Sequence, residues 1–258
     1  MESITTLEIP LYVPKYKANT SYGYEGKKGE RLLEVLYDAS DGYCMYCYTK
    51  IEVDSKRFGQ LEHFIEKKHT KKSGKLKECV PNIAIACPKC NLSFKKKGDK
   101  IRIFTKDQKQ VYEASTCIGE KCTKECAAYK EMKKVYISKR KIILPLEESG
   151  EDVTTYKIQY NLLKLEFEPS TKVAYTQAQK EIIMRHIEKF NLNDAQYRTK
   201  EILKCCEDII NGDRSLRKKK YNNYVVDLFM DKLKILDDEQ KQKLCTRIYI
   251  LGKMKKII

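Results

Sequence analysis

Two CxxC pairs, Cys44/Cys47 in CMYC and Cys87/Cys90 in CPKC, are the residues of this chain with the plainest chemistry. Four thiolates so paired suit tetrahedral structural zinc. The 39 residues between the pairs exceed the roughly 15–20 of a plain zinc ribbon, so something has been inserted. The insert carries Asn82 and, in LEHF, Glu62 beside His63, one of only three histidines. An imidazole with an ordinary pKa near 6.5 can take a proton from water at neutral pH. Glu62, and Asn91 just after the second pair, offer hard oxygens suited to Mg²⁺ or Mn²⁺. A proton acceptor beside a hard-metal site is equipment for phosphodiester hydrolysis. That reaction needs an activated water, a Lewis acid on the phosphate and relief of charge on the leaving oxygen.

Such residues need elements to hold them. ERLLEVLYDAS (30–40) spaces its apolar positions as a short amphipathic helix. DGYCMYCYTKIEV reads as a turn, a zinc-knuckle-like loop and a strand. GQLEHFIE alternates like a strand, KKHTKKSGKLKE is a polar loop, and NIAIAC is a second, apolar strand. PKCNLSFKKKG has proline near its start and glycine past its end, the punctuation of a short helix. Residues 58–98 therefore read as strand, loop, strand, helix. Residues 1–29 read as an extended arm, and 100–150 give no clear period beyond scattered cysteines and a basic segment at 133–141. Residues 154–168 alternate like a hairpin, and four helical segments follow from about 174.

The order CxxC, Glu-His, Asn, CxxC-Asn and a lysine four residues on resembles the HNH endonuclease superfamily over about 55 residues. The carriers are Cys44, Cys47, Glu62, His63, Asn82, Cys87, Cys90, Asn91 and Lys95. The resemblance implies an α+β fold: a zinc-stabilised ββα-metal (HNH) core over 30–100, a connecting region with a cysteine cluster and β-hairpin over 101–172, and a largely helical region over 173–258. It implies catalytic roles for His63, Asn82, Glu62 and Asn91. His63 would activate water, and Glu62 and Asn91 would hold a catalytic Mg²⁺ or Mn²⁺. Asn82 would tie the loop backbone and orient the histidine, a supporting role. Lys95, with Lys96 beside it, would face nucleic-acid phosphate or the leaving group. Asn91 stands where many relatives have histidine, which favours a harder metal. On residue type alone, Asn82 also reads as a turn residue after Pro81, and Lys95 as a solvated lysine in a KKK run.

IEKFNLNDAQYRTKEILKCCEDII and ILPLEESGEDVTTYKIQYNLLKLEFEP resemble, more weakly, parts of the HNH proteins of Septu-type and retron-associated phage-defence systems. That implies an antiviral nuclease subunit working with an ABC-type or related ATPase as sensor. The chain has no GxxxxGK[ST], so ATP chemistry would come from the other protein.

The 258 residues are 41% hydrophobic, enough for a real core. No stretch approaches the roughly 18 apolar residues of a membrane-spanning helix. The N-terminus lacks the pattern of a signal peptide. Both point to the cytoplasm, where eleven cysteines read as thiols and metal ligands rather than disulfides. Lys and Arg total 52 against 36 Asp and Glu, giving +16, which favours DNA or another polyanion as partner, although lysine-rich surfaces also arise without one. Cys117, Cys122 and Cys126 could hold a second metal if Cys79, Cys205 or Cys206 supplied the fourth ligand. Cys205, Cys206 and Cys245 read otherwise as small buried hydrophobes. His69 reads as solvent-facing or a phosphate contact and His186 as structural. Tyrosines among the lysines of RSLRKKKYNNY could stack on bases or simply pack. The expectation is a metal-dependent HNH endonuclease acting on DNA; the rival is a zinc-stabilised nucleic-acid-binding or adaptor module without catalysis.

Overall fold

The helix expected from ERLLEVLYDAS begins earlier and spans Gly26–Ala39 (α1). It buries Leu32, Leu36 and Tyr37. In the computed structural model, which describes residues 5–70, 74–96, 102–115, 122–144, 146, 156–194, 198–213, 217 and 220–258, the chain forms two compact units. One comprises 11–46 with 51–154; the other comprises 1–10, 47–50 and 155–258.

In the first unit, Glu52–Val53 (β2) and Lys56–Arg57 (β3) form a minimal antiparallel hairpin. Asp54 and Ser55 at its tip both take positive φ, as a primed two-residue turn requires. Gly59 then leads into Gln60–His63 (β4). Its N–H donates to the Tyr37 hydroxyl at 2.8 Å, and that hydroxyl donates to the Ile51 carbonyl at 3.0 Å. A Cβ here would come within 2.8 Å of Ile51, Ile85 and Tyr37, so close approach rather than a special φ demands glycine.

β4 pairs antiparallel with Ile83–Ala86 (β5), with Gln60 opposite Ala86, Glu62 opposite Ala84 and His63 opposite Ile83. The link between them is not the plain polar loop its lysines suggest. It holds a 3₁₀ turn at Lys67–Thr70 and a helical turn at Lys75–Glu78 (α2). Thr70 and Leu76 are buried, and Leu76 N–H donates to the Thr70 hydroxyl at 3.1 Å. Two buried residues among the lysines are enough to fold the segment inward.

The helix expected after CPKC is a short wide turn, Cys90–Phe94, in which Lys95 N–H reaches back five residues to the Cys90 carbonyl at 3.1 Å. Gly98, expected to end it, lies outside the described residues.

Two helices lie in the stretch without a clear period: Lys106–Ala114 (α3) and Ala127–Arg140 (α4). Thr105 and Gln108 form a reciprocal cap at the start of α3. α4 buries Tyr129, Met132, Lys133, Tyr136, Ile137 and Arg140, two parallel rows three and four residues apart that form one helix face.

The second unit has a three-stranded antiparallel sheet of Thr6–Glu8 (β1), Ile158–Asn161 (β6) and Glu166–Pro169 (β7), in the order β1-β6-β7. The expected hairpin is thus present. Within the segment read as an extended arm, residues 6–8 are a sheet strand, and farther along it Tyr12 and Tyr22 are buried in the first unit. Four helices complete the second unit: Gln177–Lys189 (α5), Thr199–Ile210 (α6), Tyr224–Leu233 (α7) and Asp238–Met254 (α8). α7 starts well after RSLRKKK, where the Asn223 side chain accepts from Val225 N–H at 3.0 Å. α6 and α8 approach closely at Gly252 and Leu203. Cys205, Cys206 and Cys245 are all buried in these two helices. No helix among the described residues is long and apolar enough to cross a membrane.

Candidate functional site

The Sγ atoms of Cys44, Cys47, Cys87 and Cys90 lie within 4.8 Å of one another, and all but the half-buried Cys87 are buried. Four thiolates about 2.3 Å from one zinc need comparable spacing, so the donor set and its geometry fit a structural zinc. Local hydrogen bonds explain the approach. Met45 N–H, inside the first pair, donates to the Ile85 carbonyl of β5 at 3.1 Å, and Cys90 N–H points to Cys87 Sγ at 3.4 Å. The first loop is thereby laid against the strand that leads into the second. Among the described residues this is the one cluster of three or more His, Cys, Asp or Glu side chains able to hold a metal. Cys122 and Cys126 are half-buried, and Cys117 lies outside the described residues.

Asn82, fully buried just before β5, ties the connection to the strand. Its Oδ1 accepts from Ile65 N–H at 2.8 Å, and its Nδ2 donates to the carbonyls of Ile65 at 2.9 Å and Leu76 at 3.0 Å. The Tyr129 hydroxyl of α4 also donates to Oδ1 at 3.2 Å, and Phe64 N–H reaches the Asn82 carbonyl at 2.7 Å. An asparagine with this many partners is no incidental turn residue.

His63 is 7% exposed. Its Nε2 lies 3.0 Å from the Lys77 carbonyl, the residue after the carbonyl that Asn82 holds. A carbonyl only accepts, so Nε2 carries the hydrogen in the neutral ring and Nδ1 keeps the lone pair. Tyr24 packs on the ring, centroids 4.2 Å apart. Burial, with the charges of Lys67, Lys95 and Lys77, pushes the imidazole down to about 4 against the pull of the Lys77 carbonyl, so it is neutral at pH 7.

Glu62 is also buried, and both its oxygens are engaged. The Tyr46 hydroxyl donates to Oε2 at 2.7 Å, and the Lys95 ammonium pairs with Oε1 while also donating to the His63 carbonyl. Burial pushes the Glu62 carboxyl above the ordinary range against the pull of Lys95 and Tyr46. Lys95 itself is 3% exposed and points inward, away from the solvent where a phosphate backbone would lie; neighbouring Lys96 is exposed. Asn91 donates to the Gln60 side chain at 3.0 Å. Glu62 and Gln60 share one face of β4, and His63 lies on the other, as strand alternation dictates. Glu62 and Asn91 therefore have partners other than a shared ion, and the residues in place do not form an open Mg²⁺ or Mn²⁺ shell.

Several participants carry no sequence signal as site residues. Tyr46 sits inside the first CxxC and Tyr24 in the supposed arm. Glu66 accepts from the Tyr136 hydroxyl at 3.0 Å, lies 3.3 Å from His69 and 3.7 Å from Arg140. Burial opposes its charge, but His69, Lys95 and Arg140 outweigh that and hold it at about 2. His69 is thus largely buried, set edge-on to Phe104, rather than solvent-facing. His186 is buried against Phe190. Tyr221 is buried with its hydroxyl on Asp208, so it is not free to stack on a base. An open cleft of about 510 Å³ reaches Tyr24, Glu30, Gly59, Gln60, Leu61 and Asn91.

Fold and site together define a mixed α+β protein with small sheets and a four-cysteine cluster able to bind zinc. Comparison with protein-family models, curated proteins and solved structures found no match.

Proposed function

We propose that this chain is an HNH-type endonuclease that hydrolyses phosphodiester bonds in DNA. The observation that carries the reading is His63: a neutral, buried imidazole with Nε2 pinned to the Lys77 carbonyl. Nδ1 is then the atom that accepts a proton from water, and Asn82, through the Leu76–Lys77 backbone, is the residue that orients it. The β4–β5 hairpin, the following wide turn and the four cysteines support a ββα-metal core in which zinc is structural. Exposed Lys96 and the net charge of +16 suit a polyanionic substrate. On the weaker resemblance, the nuclease is the effector of a cytoplasmic anti-phage system, with an ABC-type or related ATPase as sensor.

The test is cleavage of supercoiled plasmid by the parent chain and by His63→Ala protein matched for zinc content and circular dichroism. General-base catalysis contributes about 10²- to 10⁴-fold, so the variant should lose at least about a hundredfold in rate. A variant that cuts as fast as the parent rules out His63 as the base.

A second reading, a zinc-stabilised nucleic-acid-binding or adaptor module without catalysis, is favoured by one observation: both Glu62 oxygens already have partners, Tyr46 and Lys95, rather than an open metal shell. Plasmid cleavage that appears with Mg²⁺ or Mn²⁺ and vanishes with EDTA decides against it.

A further inference from the structure

Cys47 is held from behind by a residue far along the chain. Its carbonyl accepts from Arg198 Nε at 3.1 Å, while Arg198 Nη1 donates to the Asn191 carbonyl, just past α5, at 2.7 Å. Arg198 is 5% exposed and immediately precedes α6. Among the described residues it forms no ion pair, so its hydrogens go to backbone carbonyls. One planar fork thus clamps the end of α5 and the second cysteine of the first CxxC, a task for which a lysine's point donor is poorly shaped.

The backbone that follows Cys47 is strained and pinned. Tyr48 takes a φ of 63°, a left-handed conformation that a bulky residue keeps only when its surroundings impose it. Its ring is buried on Phe167, centroids 5.7 Å apart, and its carbonyl accepts from Tyr224 N–H at 3.0 Å. Lys50 N–H donates to the Asn222 carbonyl at 2.8 Å, and Asn222 N–H in turn reaches the Glu201 carboxylate of α6 at 3.2 Å. Residues 47–50 are therefore bonded to the starts of α6 and α7 rather than left as a loose loop. Thr49 Oγ1 lies 3.4 Å from Cys47 Sγ, a support on the sulfur itself. Charge points the same way. A buried cation without a paired carboxylate is costly. Four thiolates around one zinc leave an excess of negative charge that would offset it, and the carbonyl Arg198 holds belongs to one of those four ligands.

We propose that Arg198 is a positioning residue for the four-cysteine metal site. It fixes the Cys47 carbonyl, and with it the turn that presents the Cys47 thiolate, so that metal affinity depends on a side chain 151 residues away. By linkage, metal binding in turn holds the Arg198 contact closed. The inference rests on the cysteine cluster as a zinc site and not on the nuclease reading, and its test involves no nucleic acid and no cleavage.

The experiment uses the full-length chain, with zinc affinity measured by competition against a chromophoric chelator. Losing a side chain that supports a metal ligand costs about 10- to 100-fold in affinity, so Arg198→Met should bind zinc at least about tenfold more weakly than the parent. Arg198→Lys, which keeps the charge and loses the fork, should weaken binding too. Leu203→Ala, on the same helix but packed at Gly252 of α8, should bind zinc like the parent. Parent-like affinity in Arg198→Met or Arg198→Lys overturns the proposal. So does an equal loss in Leu203→Ala, which would reduce the effect to general destabilisation, and so does a parent that takes up no zinc. Should the Arg198 variants fail to fold, the parent still decides. Solvent exchange of the Arg198 Nε proton, followed by nuclear magnetic resonance, should be at least about tenfold faster once zinc is chelated, with the Ile248 amide of α8 unchanged. An Nε proton indifferent to zinc, or one that accelerates no more than Ile248, overturns it.

Discussion

His63 and Glu62 are neighbours in sequence with opposite electrostatic situations. Both are buried, but Glu62 has a cation and a hydroxyl on its oxygens, while His63 has a carbonyl on one nitrogen and an aromatic ring on its face. Burial therefore favours the neutral form of His63, and that has a consequence for stability. An unfolded imidazole binds its proton below about 6.5, whereas the folded one does so only below about 4. Between those values the unfolded state holds more protons, so stability falls as pH falls from 6.5 to 4 and is indifferent to this group above 6.5. The effect amounts to about 3 kcal/mol at most. Urea midpoints of the parent and of His63→Gln, measured at pH 7.5, 5.5 and 4.5, should diverge in that window, the parent losing more. Parallel pH profiles would mean that the folded imidazole titrates like a free one.

At the scale of elements, the β4–β5 hairpin is tied at its connected end, beyond the His63–Ile83 pair, by one side chain. Asn82 makes three hydrogen bonds to the backbone of Ile65 and Leu76 and accepts a fourth from Tyr129. Asn82→Ala leaves buried backbone groups without partners and should cost about 2–4 kcal/mol, since each orphaned group costs about 1–3. The check is chemical denaturation together with zinc content. One zinc per chain should remain, because the hydrogen bonds that bring the cysteines together are made elsewhere, at Met45 and Cys90. A loss under about 0.5 kcal/mol would show that Asn82 is dispensable to the hairpin. The same hairpin shows what is legible locally. LEHF and NIAIAC read as strands because two-residue alternation and apolar runs are written into them, and the Thr105 cap before α3 was there to be read as T-x-x-Q. The inward fold of KKHTKKSGKLKE was not, because its lysines outnumber the two residues, Thr70 and Leu76, that bury.

For the molecule as a whole, a metal held by the cysteine cluster would be coupled to folding, because the cluster draws on segments about forty residues apart. Purified protein should contain one zinc at this cluster, and Cys90→Ser should lower its occupancy. Chelation should lower the thermal midpoint, since binding energy at such a site is folding energy. Elemental analysis and thermal scans with and without a chelator measure both. A midpoint unchanged by chelation would make the cluster a set of reduced thiols rather than a zinc site. The +16 charge belongs to this scale too: if the proposed DNA substrate is bound, its affinity should fall steeply with salt.

The sequence by itself determined the local facts: two CxxC pairs with a strand-forming insert, a hairpin expected over 154–168, four helical segments from about 174, and the residue types that could handle a proton or a metal. Those follow from periodicity, capping and spacing, which act over a few residues. Only the tertiary structure decided that four sulfurs converge, that residues 6–8 complete a sheet with residues 158–161, and that Lys95 turns inward onto Glu62. The physical reason is range. A lysine in a KKK run looks solvated until a carboxylate 33 residues away and a carbonyl beside it are brought into the same interior. There the cost of burying either charge alone makes each the partner of the other.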